Sequence, residues 1–125
     1  MKIKEFIDKA KEHDSRNKFK SSEYRDILNN TPMEFKEFYT KYDPEDVYLR
    51  LEENGSLNFF QLNDLNDIQK EYDVREFLIF ASIDGDPVAI KDGKIYLGIH
   101  GTSDYNFKEE FNNFKRFLNW LSKQI

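Results

Sequence analysis

Short apolar runs separated by Asn-Gly and Asp-Gly dipeptides fill the middle of this chain, and that punctuation constrains its fold more than any other feature. Asn, Asp and Gly accept positive φ, the backbone that a tight hairpin turn requires. Val47, Leu49 and Leu51 alternate with Tyr48 and Arg50, and Asn54-Gly55 follows as the favoured two-residue turn. Leu57-Asn58-Phe59-Phe60-Gln61-Leu62 is the expected return strand. Phe77 to Ile83 is continuously apolar at its start and predicts a central strand. Val88-Ala89-Ile90, the pair Asp92-Gly93, and Ile95-Tyr96-Leu97-Gly98-Ile99 give a second hairpin. Hairpins of this kind imply a mainly antiparallel sheet.

Helical spacing brackets these strands. Ile3, Phe6, Ile7 and Ala10 share a helical face. Thr31-Pro32-Met33-Glu34 has the order of an N-cap, a first helical proline and a capping-box acid. Phe35, Phe38, Tyr39 and Tyr42 then fall on one face. A short helix around Asp64 to Tyr72 presents Leu65, Ile68 and Tyr72. The last helix is expected from about Asn106, with Glu109 as its capping partner and a stripe through Phe107, Phe111, Phe114, Leu118, Leu121 and Ile125. Phe80, Phe111, Phe114 and Leu118 are the expected deep core. Between His13 and Glu23 only Phe19 is strongly apolar, so 13–23 reads as a polar loop. The reading is α+β: a single domain over residues 1–125, with a mainly antiparallel sheet of about five strands flanked by helices.

A length of 125 residues fits one domain with a core of its own. That core is expected to use few, large side chains, because the chain holds 12 Phe and 7 Tyr. Cysteine is absent, so disulfides and thiolate metal sites are excluded and a reducing compartment is favoured. Met1-Lys2-Ile3-Lys4-Glu5-Phe6 lacks the apolar run of a signal peptide, and no stretch reaches the ~18–20 apolar residues of a membrane span. These features lead to the expectation of a cytoplasmic protein with no membrane partner.

Catalytic signals are weak. Histidine occurs only at 13 and 100. His100 precedes Gly101-Thr102-Ser103-Asp104, which allows a His–Asp or Ser–His pair but equally a strand-end histidine in a polar loop. No nucleophile elbow, phosphate loop or zinc-binding His pair appears. Asp84, Asp86 and Asp92 are close enough in sequence to meet at one sheet end and hold a divalent cation, yet they lack EF-hand spacing and are good turn residues. The structural reading of both is favoured, so no enzyme activity, metal or cofactor is expected. The N-terminal lysines and Arg16 alternate with Glu5, Asp8, Glu12 and Asp14, which makes a mixed solvated surface rather than a nucleic-acid stripe.

The net charge of −5 is unevenly spread. Residues 43–76 contain ten Asp/Glu against only Arg50, Lys70 and Arg75, a local net of −7. Such a segment repels phosphate backbones and favours a basic partner. Asp43, Glu45, Asp46, Glu52, Glu53, Asp64 and Asp67 are therefore candidate acidic contacts. Tyr48 and Tyr96, opposite in phase to their core-facing neighbours, are candidate anchors.

Three stretches carry a family likeness: Thr31-Pro32-Met33-Glu34-Phe35-Lys36-Glu37-Phe38-Tyr39; the apolar strand and turn from Phe77 through Asp84-Gly85-Asp86-Pro87 to Ile90; and Phe111, Phe114, Phe117 and Leu118 near the end. In that order they resemble the SUKH superfamily, which includes fungal Smi/Knr-type cell-wall regulators and many bacterial immunity proteins. The resemblance implies a helix-flanked sheet that works by binding protein. It leads to the expectation of an immunity protein that binds and neutralises a cognate bacterial toxin, such as a nuclease. The alternative is a regulatory interaction module of Smi/Knr type.

Overall fold

The computed structural model describes residues 2–125. In chain order it contains α1 (Ile3–His13), β1 (Lys18–Lys20), α2 (Met33–Lys41), β2 (Asp43–Glu45), β3 (Val47–Leu51), β4 (Gly55–Phe59), α3 (Leu65–Tyr72), β5 (Leu78–Ile83), β6 (Asp86–Lys91), β7 (Lys94–Leu97), β8 (Lys108–Phe111) and α4 (Phe114–Gln124). Six strands form one sheet in the order β3-β4-β5-β6-β7-β8, every pair antiparallel. Two further strands, β1 and β2, form a small sheet of their own. The architecture is the expected α+β domain, with one more strand in the main sheet than the sequence suggested.

The main core lies between the sheet and α1, α2 and α4. Phe35 of α2 is at its centre, with ring centroids 5.1 Å from Tyr39, 5.2 Å from Phe80 and 5.1 Å from Phe114. Most of these contacts are edge-to-face, the arrangement that aromatic quadrupoles favour. Ile3, Phe6, Ile7 and Ala10 are all buried, as the helical spacing of α1 requires. The buried hydroxyl of Tyr39 donates to the carbonyls of Phe60 at 2.8 Å and Phe80 at 3.2 Å. Burial, and then the nearby Asp43 carboxylate, hold this phenol well above its ordinary pKa.

The opposite face is only partly covered. α3 packs on β5. Gln69 of α3 fastens it there: its Nε2 donates to the carbonyls of Val74 and Phe77, both at 2.6 Å, and its Oε1 accepts from Ile79 N–H at 3.1 Å. A half-buried aromatic group extends the cover. Phe77 stacks on Phe107 at 4.3 Å and meets Tyr96 edge-on at 5.1 Å, and Tyr105 joins Phe107 to Tyr72.

Four local expectations are corrected. Asn54-Gly55 is not a two-residue turn: Leu51 pairs with Gly55, so Glu52-Glu53-Asn54 is the loop. Gly55 then takes φ +85, and a Cβ there would fall 1.9 Å from Asp84 Oδ2. The two-residue geometry occurs instead at Asp84-Gly85 and Asp92-Gly93, where all four residues have positive φ. Thr31 does not cap α2; its hydroxyl donates backward to the Leu28 carbonyl. Residues 13–23 are not simply a polar loop: His13 ends α1, β1 pairs with β2, and Asn17 is buried.

The fourth correction is the largest. The final stripe is not one helix. Asp104, Tyr105 and Asn106 have φ of 52, 58 and 46, a left-handed run that no α-helix start can contain. Lys108–Phe111 then forms β8, and α4 begins only at Phe114 behind an Asn113 cap that accepts Arg116 N–H at 2.9 Å. Phe80, Phe114 and Leu118 are fully buried as expected, whereas Phe111 is half-buried because it stands on the edge strand.

Candidate partner-binding surface

The acidic segment does not form one patch. Asp43 is buried and structural: its Oδ2 accepts from Ser22 Oγ at 2.6 Å and its Oδ1 from Leu62 N–H at 2.9 Å. It is unavailable as a surface contact. Glu45 is exposed but faces Lys20 Nζ at 3.3 Å. Asp46, exposed with φ 63, and Glu52 stand at opposite ends of β3. Six extended steps separate them, about 20 Å. Asp64 and Asp67 are exposed on the approach to α3 and on its first turn, with Gln61 Nε2 3.3 Å from Asp64 Oδ2.

The two tyrosines also separate. Both lie on the sheet face opposite the main core, but β3 and β7 are four strand steps apart, about 19 Å. Tyr48 is 51% exposed. Tyr96 is half-buried against Phe77 and serves packing.

The histidine and aspartate expectations resolve differently. His100 does not meet Asp104. Its Nδ1 lies 2.6 Å from Asp86 Oδ1, and its backbone N–H donates to the same oxygen at 3.0 Å. Asp84 accepts from Ser56 N–H at 3.1 Å and stabilises the hairpin end. Asp92 sits in the turn at the opposite end of β6, so the three carboxylates do not converge. Among the described residues no group of three or more His, Cys, Asp or Glu side chains is placed to hold a metal ion.

One surface the sequence did not indicate combines apolar walls with carboxylates. A cleft of about 400 Å³ opens between α4 and the sheet end formed by β6, β7 and β8. Ile83, Leu97, Phe111 and Trp120 wall it, Asp86 and Glu110 are its charged groups among the described residues, and Asn54 is part of the lining. Trp120 is half-buried, 5.4 Å from Phe111 and 6.2 Å from Phe117. Asn54 Nδ2 donates to Gln124 Oε1 at 2.9 Å, which ties the Glu52-Glu53-Asn54 loop to α4 beside the cleft. Among the described residues Glu52, Glu53 and Glu110 form no ion pair. The one sequence signal for this surface is Trp120 itself, the single tryptophan, one position off the α4 core stripe of Phe114, Phe117, Leu118 and Leu121.

Comparison with family models, curated proteins and solved structures finds no match to this chain. Among the described residues no helix is long and apolar enough to cross a membrane.

Proposed function

We propose that this protein is a non-catalytic binding domain that neutralises a cognate toxin, as the SUKH resemblance implies. The observation that carries the reading is the exposed pair Glu52-Glu53, which among the described residues has no cation partner and adjoins a cleft whose described lining holds Trp120 and two carboxylates but no cation. Unpaired surface carboxylates speed encounter with a basic partner, and a half-buried aromatic in an apolar cleft supplies affinity. A toxin with a basic active-site cleft, such as a nuclease, presents the complementary field.

The proposal places Glu52 and Glu53 at the rim and gives Asp43 no contact role. Reversing Glu52 and Glu53 to Lys is expected to slow association more than it speeds dissociation. Folding should change little, because exposed charges contribute little to stability. The test is to co-express the product of the neighbouring gene in a cell that it poisons, with and without the protein, and to measure association at two salt concentrations. Protection with salt-sensitive association supports the reading. Failure to protect and to bind removes it.

A further inference from the structure

The cleft beside α4 is specific enough to define what enters it. We infer that it receives an apolar side chain flanked by lysine or arginine, presented by a segment of a basic partner. This rests on the reading of a basic partner and adds the site and the chemistry of the contact.

The walls set the apolar part. Ile83, Leu97, Phe111 and Trp120 present carbon to the opening, and the volume of about 400 Å³ lies within the roughly 300–1,000 Å³ span of clefts that bind small ligands. Phe111 and Trp120 are large aromatics left half-exposed where the neighbouring Phe114, Phe117 and Leu118 are fully buried. Covering them removes apolar surface from water at little conformational cost, because ring contacts with each other and with Phe117 already restrict both side chains.

The rim sets the charged part. Asp86 and Glu110 are the charged residues of the lining among those described. Asp86 is held in place by two contacts from His100, so its carboxylate is positioned before a partner arrives. Among the described residues Glu110 forms no ion pair. Its position is fixed by backbone: Ile95 pairs with Phe111 and Tyr96 with Glu109, so Glu110 is the extra residue of a bulge, a device that re-aims a side chain. Arg116 and Lys123 line an adjoining hollow that shares Glu110, Phe111 and Trp120 with the cleft, and among the described residues neither pairs with Glu110. A second copy of this chain is a poor occupant, because each copy carries −5 and would approach an acid-rimmed opening.

The test titrates the isotope-labelled full chain by NMR with three capped tripeptides: Lys-Phe-Lys, Glu-Phe-Glu and Lys-Gly-Lys. The expected result is a saturable shift of the Trp120 indole N–H and the Phe111 amide with Lys-Phe-Lys alone. Glu110→Lys is expected to weaken that binding by about tenfold or more, the equivalent of one lost charge contact. Glu110 is exposed, so this variant should keep the native spectrum elsewhere. No shift at Trp120 with millimolar Lys-Phe-Lys overturns the proposal, and so does an equal response to Glu-Phe-Glu. Shifts that track protein concentration without peptide also overturn it, in favour of self-association. The outcome is separable from toxin neutralisation: a Glu110→Lys protein that still protects cells fully leaves immunity standing and removes the cleft. Peptide binding without protection does the reverse.

Discussion

β3 ends the sheet beneath the side chains of Asn17 and His13, whereas β8 ends it facing solvent behind its own charges. On β3, Tyr48 N–H donates to Asn17 Oδ1 at 2.9 Å and Arg50 N–H to His13 Nε2 at 3.1 Å. Asn17 also donates to the Ala10 carbonyl at 2.9 Å, so one buried amide joins α1 to the sheet edge. On β8, among the described residues, no backbone group of Lys108–Phe111 bonds beyond the β7 ladder. What protects that edge is its shortness, the charges Lys108, Glu109 and Glu110, and the bulge. Antiparallel self-pairing of β8 about its centre would set Glu109 opposite Glu110, a like-charge pair that disfavours it. One edge is sealed by structure; the other is kept open yet selective, and the proposed cleft lies beside the open one.

The sharpest way to break this comparison is to remove one phenylalanine from each side. Phe114 contacts Phe35, Phe38, Phe80 and Phe117 in the closed core, and Phe114→Ala should cost about 3–5 kcal/mol in chemical denaturation. Phe111→Ala, on the open edge with its ring half in water, should cost roughly half as much, since less surface is buried. Equal losses would show that the β8 side is packed as firmly as the core, and the contrast would fail.

A smaller effect tests the seal directly. Asn17→Ala leaves the Tyr48 N–H without its partner and the Ala10 carbonyl with only the longer bond from Asp14 N–H at 3.3 Å, at a cost of about 1–3 kcal/mol. Hydrogen exchange at Tyr48 should accelerate in step. Glu110→Ala on the other edge should stay within about 0.5 kcal/mol of the parent, as surface substitutions do. If Tyr48 exchange is unchanged in the Asn17 variant, the edge is sealed by something other than this amide.

These two edges also mark where sequence reasoning reached and where it stopped. Periodicity placed α1, the four core-facing residues of its stripe, β5 and the β6–β7 hairpin, because each is encoded by neighbours within a few residues. It failed where a distant partner decides. Asn17 reads as a loop residue until its bonds to residues 10 and 48 are known. Phe107 and Phe111 fit a helical step of four, yet both sit outside α4, because the left-handed run at 104–106 and pairing with β7 override local spacing. The acidic segment was legible as charge but not as shape: five strand residues split Asp46 from Glu52, and Asp43 turned inward. The cleft was invisible for the same reason, since its walls come from Ile83, Leu97, Phe111 and Trp120 on four separate elements.

The smallest effect concerns the turn that presents Asn17 to β3. Asp14 accepts from Arg16 three times: from the guanidinium at 2.7 and 3.1 Å and from the backbone N–H at 2.9 Å. Its own carbonyl accepts Asn17 N–H at 3.0 Å, so the same turn sets where Asn17 begins. The Arg16 side-chain bond, followed by the Arg16 backbone bond, lowers the Asp14 pKa from 3.8 to about 2. Because the folded value is depressed, the pair contributes stability above the ordinary carboxylate pKa, and that contribution is lost as pH falls through about 2. Arg16 is exposed and Asp14 only half-buried, so screening keeps the effect of the pair small. A carbon-detected NMR titration should find the Asp14 midpoint near 2 in the parent and partly restored in Arg16→Ala, where the backbone donor survives. Exchange at Tyr48 should barely move in that variant, since Asn17 keeps its own two side-chain bonds. A parent midpoint at the ordinary carboxylate value would mean that the turn is not locked by charge. A large rise in Tyr48 exchange on losing Arg16 would mean that the seal on β3 begins at this surface pair rather than at the buried amide.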